Sequence, residues 1–156
     1  MLYFLLLLFA AVSGTSSAPA VRPIKALGAC SAVTAADVER ALGRRFTRGN
    51  EETHGTDSTC DYGSGNGQVS ITLQRLRAPL DIAVEVASLK KEIEDSSVRM
   101  VPEFGGFYLD IAGAGTQLHA IRADREYVMI SILGFGGAEK VSDAAARLAK
   151  IALGRM

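Results

Sequence analysis

Two cysteines, two histidines and two clusters of glycine are the residues of this chain whose types and spacing bear on chemistry. Cys30 and Cys60 form the one pair of thiols. His54 and His119 stand far apart, with no second histidine near either, so no recognisable zinc spacing exists and neither metal nor cofactor is expected. No Gly-x-Ser-x-Gly elbow surrounds any serine, and no hydrolytic triad follows from residue order alone. Gly63-Ser64-Gly65-Asn66-Gly67 lies between two predicted strands, with no helix N-terminus to receive a phosphate, and reads as a hairpin turn. Gly134-Phe135-Gly136-Gly137 does follow a strand and open a helix. It lacks the Lys-Ser/Thr of a phosphate loop, and Glu139 stands where a dinucleotide fold needs its third glycine, so it reads as a β-to-α connection.

What the two thiols do depends on compartment, and the first twenty residues, MLYFLLLLFAAVSGTSSAPA, speak to that. Leu2 to Val12 form an apolar run shorter than the roughly 20 residues a bilayer-spanning helix needs. A Gly/Ser/Thr stretch and Ala18-Pro19-Ala20 follow, a small-x-small pattern that signal peptidases accept. The reading is a signal peptide over residues 1–20, a lead-in over 21–29 and a single domain over 30–156, with no stable membrane span once the signal is removed. Oxidising compartments favour a Cys30–Cys60 bridge, which closes a loop of roughly thirty residues and is worth on the order of 3–4 kcal/mol in the chain-entropy model. Two rivals stand beside it. Leu27-Gly28-Ala29-Cys30 resembles a lipoprotein box, although Arg22, Pro23 and Lys25 separate it from the apolar run, and Cys60 could be a free reactive thiol, although nothing near it in sequence lowers its pKa.

The chain carries 17 basic and 17 acidic residues. That balance argues against nucleic acid, whose binding needs a basic field, and supplies no polybasic address for anionic lipid. Arg44, Arg45 and Arg48 make the one local basic knot, at the end of a predicted helix where cations are favoured.

Around these residues the pattern predicts a small α+β domain. Thr34 and Asp37 can form a capping box, Val33 can staple onto Val38, and Gly43 supplies a left-handed stop, which together predict a helix over 35–42. Residues 44–57 are polar and read as a surface loop. Strands are expected over 58–62, 68–76, 107–111, 116–122 and 127–133, with helices over 79–94 and 138–153; 98–101 is left undecided. The order α-ββ-α-βββ-α implies one antiparallel sheet of about five strands with helices packed on it. Helix then hairpin occurs twice, a hint of loose duplication.

One positive site follows from strand alternation. With Phe107, Leu109 and Ile111 turned toward the helices alongside Val128, Ile130 and Ile132, the opposite face presents Tyr108, Asp110, Tyr127 and Met129, joined by His119 and Gln74. Aromatic and methionine side chains mixed with polar groups suit a recognition surface.

At CSAVTAADVERALG, then STCDYGSG and QVSITLQRL, and again at EYVMISILG and AARLAKIAL, the chain resembles a recurrent type of small secreted or lipid-anchored bacterial domain of unknown function. The resemblance spans about Cys30 to Leu153. It implies the Cys30–Cys60 bridge and an extracytoplasmic location, and it supplies no catalytic residue. The expectation is a periplasmic or secreted, non-enzymatic binding domain of the bacterial cell envelope, whose partner is an envelope protein or a small ligand. The alternatives are a carrier holding a small apolar ligand between helices and sheet, which predicts a cavity lined by Phe107, Val128 and Leu148, and a small enzyme without a recognisable motif, which predicts a histidine converging with an acid or thiol in a cleft.

Overall fold

Thr34, Asp37 and Gly43 build the N-terminal helix as their types require. In the structure, a computed structural model describing residues 28–123 and 125–156, the short helix α1 (Ala29–Ala32) leads into α2 (Ala35–Leu42). The Thr34 hydroxyl accepts from the Asp37 amide while the Asp37 carboxylate accepts from the Thr34 amide, and Gly43 ends the helix at φ 67°. Val33 and Val38, the two residues of the staple, are fully buried. Residues 1–20, most of the lead-in and Asp124 lie outside the described residues, and with them the signal peptide. Among those that are described, no helix is long and apolar enough to cross a membrane.

The sheet has seven strands rather than about five: β1 (Asn50–His54), β2 (Asp57–Ser64), β3 (Gly67–Arg75), β4 (Ser96–Val101), β5 (Gly106–Ile111), β6 (Gly115–Arg122) and β7 (Glu126–Leu133). Helix α3 (Ile82–Glu92) precedes β4, a 3₁₀ turn at Pro102–Phe104 separates β4 from β5, and α4 (Ala138–Arg155) closes the chain. All pairings are antiparallel, in the order β1-β2-β3-β7-β6-β5-β4. The two extra strands are the two edges. β1 lies within the segment expected to be a loop: Asn50-Glu51-Glu52-Thr53-His54 is polar and exposed throughout, so it carries no alternation, and its strand form comes from the backbone bonds that β2 offers. Helix α3 begins three residues later than Pro79, because the Asp81 carboxylate caps it by accepting from the Ala83 and Val84 amides.

Helices α1, α2 and α4 pack on one face, over Cys60, Tyr62, Val69, Ile71, Leu73, Leu118, Ala120, Val128, Ile130 and Ile132. The inner side of α4 is small, with Ala144, Ala145, Ala149 and Ala152 beside Val141 and Leu148, so the helix lies close to β6 and β7. Ala145→Phe forces a ring into this contact and is expected to destabilise by about 1–3 kcal/mol, read as a lowered midpoint in urea unfolding.

Asp37 ties the two ends of this layer together. It is buried, and Arg155 at the end of α4 donates to it at 2.7 Å and to the Ala32 carbonyl at 2.8 Å. Burial alone would raise its carboxyl, but the hydrogen bonds from Arg155 and Thr34 outweigh that and bring it down from 3.8 to about 2. A carboxylate depressed in the folded state stabilises above its unfolded value. That contribution is therefore complete above about pH 4 and lost as pH falls through 2. Asp37→Ala removes both cap and ion pair, with an expected loss of about 1–2 kcal/mol at neutral pH in chemical denaturation.

Candidate functional site

Cross-strand partners in an antiparallel sheet share a face, so the register decides which of the expected site residues meet. Tyr108 stands opposite Leu118 and Leu118 opposite Ile130, which puts Tyr108 and Asp110 on the α4 face. Phe107 stands opposite His119 and His119 opposite Met129, which puts Phe107, Leu109 and Ile111 on the other face with His119, Tyr127 and Met129. The expectation that Phe107, Leu109 and Ile111 face the main helices is thus reversed for β5. The five residues Tyr108, Asp110, His119, Tyr127 and Met129 divide two and three between the faces. Alternation could not reveal this. In Phe107-Tyr108-Leu109-Asp110-Ile111 both parities carry large side chains, and Phe107 to Leu109 are buried on both sides of the sheet.

Tyr108 and Asp110 belong to a bracket between β4, β5, β6 and α4. The Arg99 guanidinium lies 4.3 Å from the Tyr108 ring centre and donates to Asp110 from Nε (3.2 Å) and Nη2 (3.3 Å), while the Thr116 hydroxyl donates to Asp110 at 2.7 Å. The Tyr108 hydroxyl donates to the Ser142 carbonyl at 3.0 Å. Burial raises the Tyr108 phenol, partly offset by the Arg99 charge. Beside this bracket a surface cleft of about 360 Å³ runs along Glu94, Asp95, Ser97, Asp110 and Glu139.

On the opposite face α3 contacts β4, the Glu85 charge reaches Tyr127, and Phe107, Leu109 and His119 are sealed although they point away from α4. His119 is 1% exposed, its ring stacked on Phe107 (centroids 4.4 Å apart, planes at 13°). Its Nδ1 lies 2.7 Å from the Tyr127 hydroxyl, and its Nε2 has no protein partner. Burial pulls the His119 imidazole down from 6.5 to about 4 and pushes the Tyr127 phenol up, with Glu85 adding to the latter. At neutral pH both are uncharged. His54 is far from this pair, 85% exposed on the edge strand and 4.0 Å from Glu52.

The same face continues across β3, β2 and β1 with no buried side chain. There the Thr59 and Thr72 hydroxyls meet at 3.1 Å, Gln74 donates to Asp57 at 3.0 Å, Gln68 donates to Asp61 at 3.1 Å and the Ser70 hydroxyl donates to Asp61. Met129 pairs with Thr72 and Tyr127 with Gln74, so the covered aromatic half runs into the open polar half along shared rows. The period of Ser70, Thr72 and Gln74 against Val69, Ile71 and Leu73 announced this wetter face. The Thr59 and Asp61 contribution was legible only once β2 was paired.

Cys30 and Cys60 are joined, with Cα atoms 5.1 Å apart, tying α1 to β2. The bond occupies the Cys30 sulfur that a lipid anchor would take. Gly49 passes over the bond: a Cβ there would meet the Cys60 sulfur at 2.5 Å, the Tyr62 ring at 2.6 Å and the Cys30 sulfur at 2.9 Å, so no side chain fits. The Tyr62 hydroxyl donates to the Val33 carbonyl, and the Cys30 amide donates to Glu51 at 3.2 Å. A second surface cleft, of about 390 Å³, opens here between Thr34, Arg48, Glu51 and Tyr62. Burial, with the charges of Glu51 and Asp37, pushes the Tyr62 phenol up to about 12. Among the described residues no group of three His, Cys, Asp or Glu side chains is placed to hold a metal.

The fold and site define an α+β protein, with one antiparallel sheet, a crosslinked first layer and an open polar half-face. Compared with known families, curated proteins and solved structures, the chain matches none.

Proposed function

We propose that this chain is an exported, non-enzymatic binding domain of the bacterial cell envelope, recognising an envelope protein or small polar ligand through the open half of its second sheet face. The observation that carries this reading is the set of hydrogen bonds among Thr59, Thr72, Ser70, Asp61, Gln74 and Asp57. Side chains already held in one geometry lose little freedom on binding, and donors and acceptors alternating along a pleated surface suit a polar partner. The Cys30–Cys60 bond supports a periplasmic or secreted location, since such bonds persist where the surroundings oxidise.

The carrier reading lacks a comparable support. Phe107, Val128 and Leu148 are fully buried, and neither of the two clefts touches them. For an enzyme, the sealed and uncharged His119 meets a phenol rather than an acid or thiol.

The test is a comparison of the disulfide-intact protein with its Thr59→Lys/Thr72→Lys variant, in which two cations stand on the half-exposed polar rows. Envelope extract is passed over each, after matched melting curves establish that both fold. Partners retained by the parent and lost by the variant support the reading. Identical capture by both sinks it.

A further inference from the structure

An antiparallel sheet that does not close leaves two edges, each with a row of unpaired backbone donors and acceptors. The two edges of this sheet are unlike. β1 carries Glu51 and Glu52 on its two faces in an exposed strand, and antiparallel pairing of β1 with its own copy would bring carboxylates of like charge together across the seam, two on each face. β4 carries no acid. Its single charge, Arg99, is already held by Asp110 and by the Ser142 hydroxyl at 3.0 Å.

Among the described residues the exposed large hydrophobic side chains are Val84 on α3, at 65%, and Met100 at 57%, and Met100 lies on that same edge. Met100 is opposite Phe107 and so lies on the face that carries His119.

We infer that β4 is the pairing edge for a second copy of this chain, forming a two-fold dimer through one continuous sheet with Val98 on the axis. Self-pairing about an axis perpendicular to the sheet keeps each residue on its own face, which leaves two central registers. With Arg99 on the axis, two guanidinium groups oppose each other. With Val98 on the axis, Arg99 faces the partner's Ser97, Met100 faces the partner's Ser96 and no like charges stand directly opposite. The β4 edge thereby loses its open backbone groups, and Met100 gains cover. Both open polar half-faces then lie on the same side of the assembly, one toward each end, so that a surface displaying repeated partners would be bound twice. The dimer does not depend on the proposed recognition role, and its test reads association alone.

Sedimentation of the disulfide-intact protein over micromolar to millimolar concentration is expected to show a discrete monomer–dimer equilibrium. Position 97 then reports the register, because it is exposed and each dimer contains the Ser97–Arg99 pair twice. Ser97→Glu is expected to tighten the dimer by roughly 2- to 30-fold and Ser97→Arg to weaken it by a similar factor, the range that two cross-strand charge pairs supply. A strictly monomeric protein overturns the proposal. Open-ended growth does too, since that indicates β4 pairing with β1 of the next copy, and equal responses to the two substitutions overturn the Val98 register.

Discussion

Cys30→Ala/Cys60→Ala is expected to lower stability by about 3–4 kcal/mol and the melting temperature by about 10 °C or more. The bond spans 30 positions of sequence, and an unfolded chain freed from that closure gains the entropy of a loop of this length. The structure adds a local cost. Cys60 is fully buried among Val69, Ile71 and Tyr62, and Gly49 rests directly on the two sulfurs, so their loss also leaves unfilled space in the core. The α1 segment, only four residues long, is too short to hold its place by helical hydrogen bonds. Beyond the bond its remaining ties include the Ala29 amide donating to the Ser58 hydroxyl at 2.9 Å and the Arg155 contact with Ala32. Urea unfolding of oxidised, reduced and substituted protein measures the effect; a shared midpoint for all three would show that α1 is held by packing alone.

Stability is also expected to decline as pH falls from about 6.5 to about 4, by about 3 kcal/mol in total, because of His119. Its imidazole is buried against Phe107 and Tyr127, where a positive charge has no compensating group, so the folded protein keeps it neutral down to about 4. The unfolded chain takes up the proton near 6.5. Between the two values the unfolded state binds more protons, and acid favours it; below about 4 this contribution levels off. Asp37 acts in a separate window, from about 4 down through 2. His119→Phe keeps a flat ring against Phe107 and removes the titration, at the constant cost of leaving the Tyr127 hydroxyl without its partner. Unfolding free energies at pH 7.5, 5.5 and 4.5 are therefore expected to fall in the parent and to stay level in the variant. Parallel curves would place the titration elsewhere.

Part of the candidate site was legible before folding was known. Ser70, Thr72 and Gln74 alternate with three aliphatic residues, and a period of two in a strand means one wet face whatever lies beside it. Tyr127, Met129 and His119 do reach that face. Tyr108 and Asp110 do not, because β5 runs in the opposite parity, and its burial on both sides hides that: Phe107 and Leu109 are sealed on one face and Tyr108 on the other. A strand buried on both faces carries no polarity signal to tell the sides apart. Helix α3 hid this in the sequence: its stripe of Ile82, Val86, Leu89 and Ile93 shows that it covers something, but not which face.

By itself the sequence determined the features whose partners are near neighbours along the chain. The capping box of Thr34 and Asp37, the stop at Gly43, a helix within 79–94, the hairpin turn at Gly65 and the small inner face of α4 all depend on contacts within a few residues, where type and spacing are sufficient. Only the tertiary structure decided the two edge strands, the facing of β5 and the sealing of His119. Each depends on backbone bonds or cover supplied by segments distant in sequence. Asn50-Glu51-Glu52-Thr53-His54 is extended because β2 runs beside it, and His119 is uncharged because it is buried against Phe107 and Tyr127 of the neighbouring strands.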